Sequence, residues 1–98
     1  MEFEYDPNKS KANKEKHGID FEEAKALWSD PRAVDVLGRS EGEPRFIRIG
    51  RIGERLWSAV FTERHFISAV KSERDFVAVR LISVRPARRG ERRLYERN

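Results

Sequence analysis

Apolar and polar positions along this chain fall into short blocks, each with the period of a strand or of a helix. Residues 2–5, Glu-Phe-Glu-Tyr, alternate as a half-buried strand does. Asp6-Pro7 follows, an N-cap acceptor and then a residue whose fixed φ suits the first helical position. The spacing predicts a helix from there to about His17, closed by Gly18 at the left-handed C′ position. Lysines 9, 11, 14 and 16 crowd its later turns, where cations favour the helix dipole. That helix is largely polar. In "DFEEAKALWSDP", Asp20 and Glu23 have capping-box spacing, and Phe21, Ala24, Leu27 and Trp28 share one face. A second helix is predicted to pack by that face and to stop at Asp30-Pro31, since the residue before proline is pushed out of the α region.

Strand character then takes over. "AVDVL" (33–37), a polar loop "GRSEGEP" (38–44), "RFIRIGRI" (45–52), a turn at Gly53-Glu54 and "RLWSAVFTER" (55–64) read as a β-meander. "FVAVRLISVR" (76–85) is rich in Val, Ile and Leu and is predicted to be a strand covered on both faces. The intervening "RHFISAVKSERD" fits a helical turn or a longer hairpin equally well. "ARRGERRLYERN" (87–98) returns to helix. The expected class is α+β: a short N-terminal strand, two helices, an antiparallel sheet of three to four strands and a C-terminal helix.

Composition narrows what such a domain can do. A chain of 98 residues suits one domain, residues 1–98, with a single modest core. No stretch of eighteen apolar residues exists, and "MEFEYDPNKS" lacks both an apolar h-region and a small-residue cleavage site. Neither membrane insertion nor secretion is expected, and the chain is read as cytoplasmic. With no cysteine and two histidines 48 positions apart, thiolate zinc sites and cysteine nucleophiles are excluded, and a mechanism with no metal and no cofactor is expected.

Charge adds a partner class. Residues 1–43 hold seven Lys/Arg against eleven Asp/Glu, whereas residues 44–98 hold fourteen against six. Thirteen of those fourteen cations are arginine, whose planar fork pairs with phosphate through two hydrogen bonds and stacks on bases. A polyanion is the natural partner of the second half, and a solvated basic surface is the plain alternative.

Three ordered blocks resemble the BrnT toxin family. "FEYDPNKSKANKEKHGIDFEEAKALWSDP" is similar to that family's opening, "EPRFIRIGRIGERLWSAVFTER" to its central meander and "RLISVRPARRGERRLYE" to its closing pattern. Gly90 stands where the family usually has a charged helix former. The resemblance implies a RelE-like fold and the toxin half of a type II toxin–antitoxin pair. That toxin would cleave RNA, in the first instance mRNA, and so inhibit translation. It further implies a BrnA-like antitoxin with a ribbon-helix-helix part, through which alone DNA would be engaged. The implied chemistry is metal-independent: the ribose 2′-hydroxyl attacks its own phosphate, and arginines balance the charge of the phosphorane. A proton acceptor and a proton donor are also needed.

Each candidate residue has a plain reading beside its functional one. Arg80 lies in an apolar strand, so it either binds an anion or pairs with a carboxylate such as Glu63. Arg64 and Arg85 end strands, where side chains converge on a sheet-edge groove. Glu63 is a candidate base or a salt-bridge partner. Tyr95 can stack on a base or donate a proton, or plug the core. These five, Glu63, Arg64, Arg80, Arg85 and Tyr95, form the expected catalytic set. Arg88, Arg89 and Arg92 are expected to touch RNA, although residues spread around a helix cannot all face one site. Ser83 is a phosphate donor or a local backbone partner. His17 is a candidate for acid–base work and for contact with RNA, or caps helix carbonyls. Glu91, with Arg92, is expected to brace the last helix against strand arginines, with a catalytic role as its alternative. The competing reading is a non-catalytic basic module that binds RNA or an acidic protein partner.

Overall fold

The computed structural model describes residues 1–66 and 76–98. A three-residue strand, β1 (Glu2–Glu4), leads through the N-cap Asp6 into α1 (Pro7–His17). The Asp6 carboxylate accepts the Asn8 N–H at 2.8 Å, and Gly18 ends the helix at φ 80°, a left-handed conformation that costs glycine nothing. Both ends of this helix lie where the sequence places them. The second helix is shorter than its apolar spacing suggests. α2 (Phe21–Ala24) begins with the full Asp20/Glu23 capping box, then tightens into a 3₁₀ stretch over Lys25–Ser29. A 3₁₀ turn eclipses residues three apart, so Ala24 and Leu27 still reach the same core face and both are fully buried.

The sheet follows as β2 (Val34–Leu37), β3 (Phe46–Ile52), β4 (Arg55–Phe66) and β5 (Phe76–Pro86), with α3 (Arg89–Glu96) last. Its five strands lie in the order β1-β5-β4-β3-β2. The four later strands are antiparallel neighbours, and β1 joins β5 in parallel through Glu2↔Ala78, Phe3↔Val79 and Glu4↔Arg80. The class is α+β, as expected. Phe66 pairs with Phe76, their rings stacked 4.7 Å apart, so both arms of the β4–β5 hairpin run up to that pair. The helix-or-hairpin alternative for "RHFISAVKSERD" otherwise falls on residues 67–75, outside the described residues.

One face of the sheet carries the main core. Phe61, Trp57, Ala59, Val79, Leu81 and Val84 pack beneath Ile19, Phe21, Ala24 and Leu27. The polar α1 attaches by a different means. β1 ends at Glu4, opposite Arg80, and from there on α1 lies beside β5: the buried Asn13 amide accepts the Val84 N–H at 3.1 Å and donates to the Val84 carbonyl at 2.9 Å. Asn13 thus takes the place of a strand partner, satisfying backbone groups that would otherwise be orphaned. The opposite face holds a smaller cluster in which Tyr95 of α3 packs with Ile49 and Ala87.

β5 differs from expectation in being covered only in part on that second face. Val79, Leu81 and Val84 are buried, but Arg80 is exposed. Its guanidinium therefore keeps its hydration, and the cost foreseen for a buried cation does not arise.

Candidate functional site

Arg80 and Arg85 are five residues apart, so in a regular strand they would point to opposite faces of the sheet. A one-residue bulge reverses this. The β4–β5 register runs Ser58↔Arg85 and Val60↔Ser83, then steps to Phe61↔Leu81 and Thr62↔Arg80, leaving Ile82 as the extra residue. Directly opposed residues share a face, so Arg80, Ser83, Arg85, Ser58, Thr62 and Arg64 all lie on the side opposite the main core. Four of the sequence candidates are thus brought together: Arg64, Arg80, Ser83 and Arg85.

Arg85 is held by α3. Its Nη1 and Nη2 donate to the two oxygens of Glu91 at 2.7 and 2.9 Å, a bidentate pair with both side chains largely buried. Glu91 Oε1 also accepts from Ser58 Oγ at 2.9 Å and from the Arg88 N–H at 2.8 Å, which caps the first turn of α3. Burial raises the Glu91 pKa. The hydrogen bonds from Arg85, the Arg88 backbone and Ser58 outweigh it and hold the carboxyl down at about 2. Glu91 is therefore a permanent carboxylate at neutral pH with its lone pairs occupied, in the bracing role expected of it.

At the other end of the face the guanidinium groups are more accessible. Arg64 Nη1 donates to Glu4 at 3.0 Å and its guanidinium lies 5.5 Å from the Phe66 ring centre, while Arg80 Nη1 is 3.9 Å from the same Glu4 oxygen. Arg80 and the buried Thr62 line an open cleft of about 250 Å³, whose rim carries Lys9, Arg45, Glu41 and Glu43. The two glutamates come from the β2–β3 loop, which is closed by the Gly38 N–H to Arg45 carbonyl bond and by Ser40 Oγ donating to the Glu43 carbonyl.

The remaining candidates lie apart from this face. Glu63 alternates with Thr62 and Arg64, so it projects to the other side of β4, where its carboxylate is 3.4 Å from His65 Nε2. His17 sits in the last turn of α1. Tyr95 is buried, and its hydroxyl donates to Asp30 Oδ2 at 2.8 Å. Burial raises the Asp30 pKa, but the Arg51 and Arg32 N–H groups and this hydroxyl lower it further, so the net shift is downward. Arg88 and Arg89 are exposed at the start of α3, while Arg92 lines a separate cleft with Arg51, Glu54 and Arg55. Sequence reasoning passed over Thr62, Arg45, Lys9 and Ser58. No local pattern distinguishes them, because they meet only through strand register and loop closure.

The arrangement can grip a polyanion along one face: two accessible guanidiniums at one end, a braced one at the other, and hydroxyls between. A family model described as "Ribonuclease toxin, BrnT, of type II toxin-antitoxin system" matches residues 5–91, nearly the whole chain. No curated protein matches it.

Proposed function

The chain belongs to the BrnT family of ribonuclease toxins of type II toxin–antitoxin systems, and from that premise we propose that it cleaves RNA without metal on the sheet face that carries Arg64, Arg80 and Arg85. Family membership itself gives an RNA substrate and an antitoxin partner. The observation that carries the assignment of the site is the β5 bulge, which turns Arg80 and Arg85 to one side. Ribose 2′-hydroxyl attack puts extra negative charge on the phosphorane, and preorganised guanidinium donors answer that charge without reorganising. Arg80 and Arg64 are accessible enough to contact the scissile phosphate. Arg85, with both oxygens of Glu91 engaged, is a rigid donor whose orientation the helix maintains. Ser83 lies opposite Val60 on the same face, and in this reading its hydroxyl donates to the same strand of RNA. Arg88 and Arg89 extend the basic surface toward the flanking phosphates.

Tyr95 anchors α3 through Asp30 in this reading, and Glu63 and His17 act at most on RNA that wraps past the sheet. The whole chain, residues 1–98, works as one toxin domain on mRNA in the cytoplasm. It is silenced by a BrnA-type ribbon-helix-helix antitoxin that covers the arginines, and it meets DNA only through that partner.

The test is direct. Purified protein incubated with end-labelled single-stranded RNA in EDTA is expected to yield fragments ending in 2′,3′-cyclic or 3′-phosphate. Arg80→Ala should abolish this, and Arg80→Lys should recover little, because an ammonium cannot reproduce the two-pronged contact. RNA that is bound but never cut would support the non-catalytic basic module instead.

A further inference from the structure

Thr62 presents an unmet demand. It is 4% exposed, and its hydroxyl is buried with no hydrogen-bond partner among the described residues. A buried hydroxyl in that state costs stability, whereas valine has nearly the same shape and carries no such cost. Thr62 lines the cleft together with Arg80, its direct cross-strand neighbour, and its hydroxyl is sealed just beneath that surface. A site that keeps an unpaired donor next to a guanidinium is arranged for an acceptor that arrives from outside.

The cleft also constrains what that acceptor belongs to. Lys9, Arg45 and Arg80 bring three positive charges, and Glu41 and Glu43 bring two negative ones. A free inorganic anion would gain from the cations but be repelled by the carboxylates. A ribonucleotide unit suits both sets, because its phosphate is an acceptor and its ribose hydroxyl is a donor. We propose, resting on the ribonuclease reading above, that this cleft is a ribonucleotide subsite: Thr62 Oγ and Arg80 donate to a phosphate oxygen, and a carboxylate of Glu41 or Glu43 accepts from a ribose 2′-hydroxyl. The β2–β3 loop then makes the protein favour RNA over DNA before any bond is broken.

The two halves predict different behaviour. Thr62→Val removes one donor to phosphate and nothing else, so binding of a labelled ten-nucleotide single-stranded RNA should weaken roughly fivefold, the range of one hydrogen bond. DNA of the same sequence should weaken by the same factor, since both carry the phosphate. Thermal stability should hold or rise, which separates this role from a structural one. Glu41→Gln/Glu43→Gln should narrow the RNA-to-DNA affinity ratio, because a neutral amide is a poorer acceptor for the 2′-hydroxyl. Unchanged RNA affinity in Thr62→Val overturns the phosphate contact while leaving ribonuclease activity as it stands. If the double glutamine variant binds RNA and DNA more tightly by one common factor, the glutamates merely repel phosphate and the ribose contact is wrong. A parent protein that neither binds nor cuts RNA overturns the subsite together with the ribonuclease reading.

Discussion

At the scale of single residues, Glu91 holds more of the site together than any other side chain. Two guanidinium nitrogens, one hydroxyl and one backbone N–H converge on its carboxylate. Removing the charge leaves Arg85 enclosed without its counter-ion, the situation in which a broken pair is costly. Glu91→Gln should therefore destabilise the protein by roughly 2–4 kcal/mol in chemical denaturation. Its titration adds a pH signature. The folded pKa of about 2 lies below the ordinary 4.5, so the contribution is complete above the unfolded value and is lost as pH falls through this window to the folded one. The parent should lose on the order of 2 kcal/mol more than Glu91→Gln across that interval, allowing for partial solvent screening. Parallel acid-denaturation profiles for the two proteins would contradict the network. The sequence already paired Glu91 with strand arginines in general. Which arginine it takes depends on the bulge, which no short window of residues reveals.

At the scale of elements, two glycines show how packing decides the sign of one substitution. Gly50 of β3 lies under the 3₁₀ stretch, where a Cβ would stand 2.9 Å from Leu27 Cδ2 and 3.3 Å from Asp30 Oδ2. Asp30 cannot yield freely, because the same oxygen accepts from the Arg51 N–H and the Tyr95 hydroxyl. Gly90, in the first turn of α3, offers open space: a methyl group there would meet nothing within 4 Å among the described residues. Gly50→Ala is expected to cost roughly 1–3 kcal/mol through overpacking. Gly90→Ala should stabilise by up to about 1 kcal/mol through helix propensity, a rise of several degrees in Tm for a domain this small. RNA cleavage should be unaffected by Gly90→Ala. A fall in Tm for that variant would mean that the glycine serves the backbone of α3. Helix boundaries were legible because capping is local: Asp6, Gly18 and the Asp20/Glu23 pair each act within four residues. The attachment of α1 was not, since Asn13 finds Val84 across 71 positions of chain.

At the scale of the whole molecule, the charge asymmetry is expected to govern association. Antitoxin and RNA are expected to compete for the arginine face, and salt should weaken both. If three phosphates are neutralised, the slope of log affinity for single-stranded RNA against log salt should be about −2. Simultaneous binding of RNA at full affinity to the toxin–antitoxin complex would show that the antitoxin silences the protein from another surface. The sequence by itself determined the α+β class, the ends of α1, the basic second half and the list of arginines worth considering. Periodicity, capping and composition are properties of neighbours in the chain, so a linear reading contains them. Only the tertiary structure decided which arginines share a face, that Glu63 lies behind them, that Tyr95 is spent on Asp30, and that Thr62 stands beside Arg80 with no partner among the described residues. The shared arginine face hangs on strand register, where a single extra residue, Ile82, exchanges one face of β5 for the other.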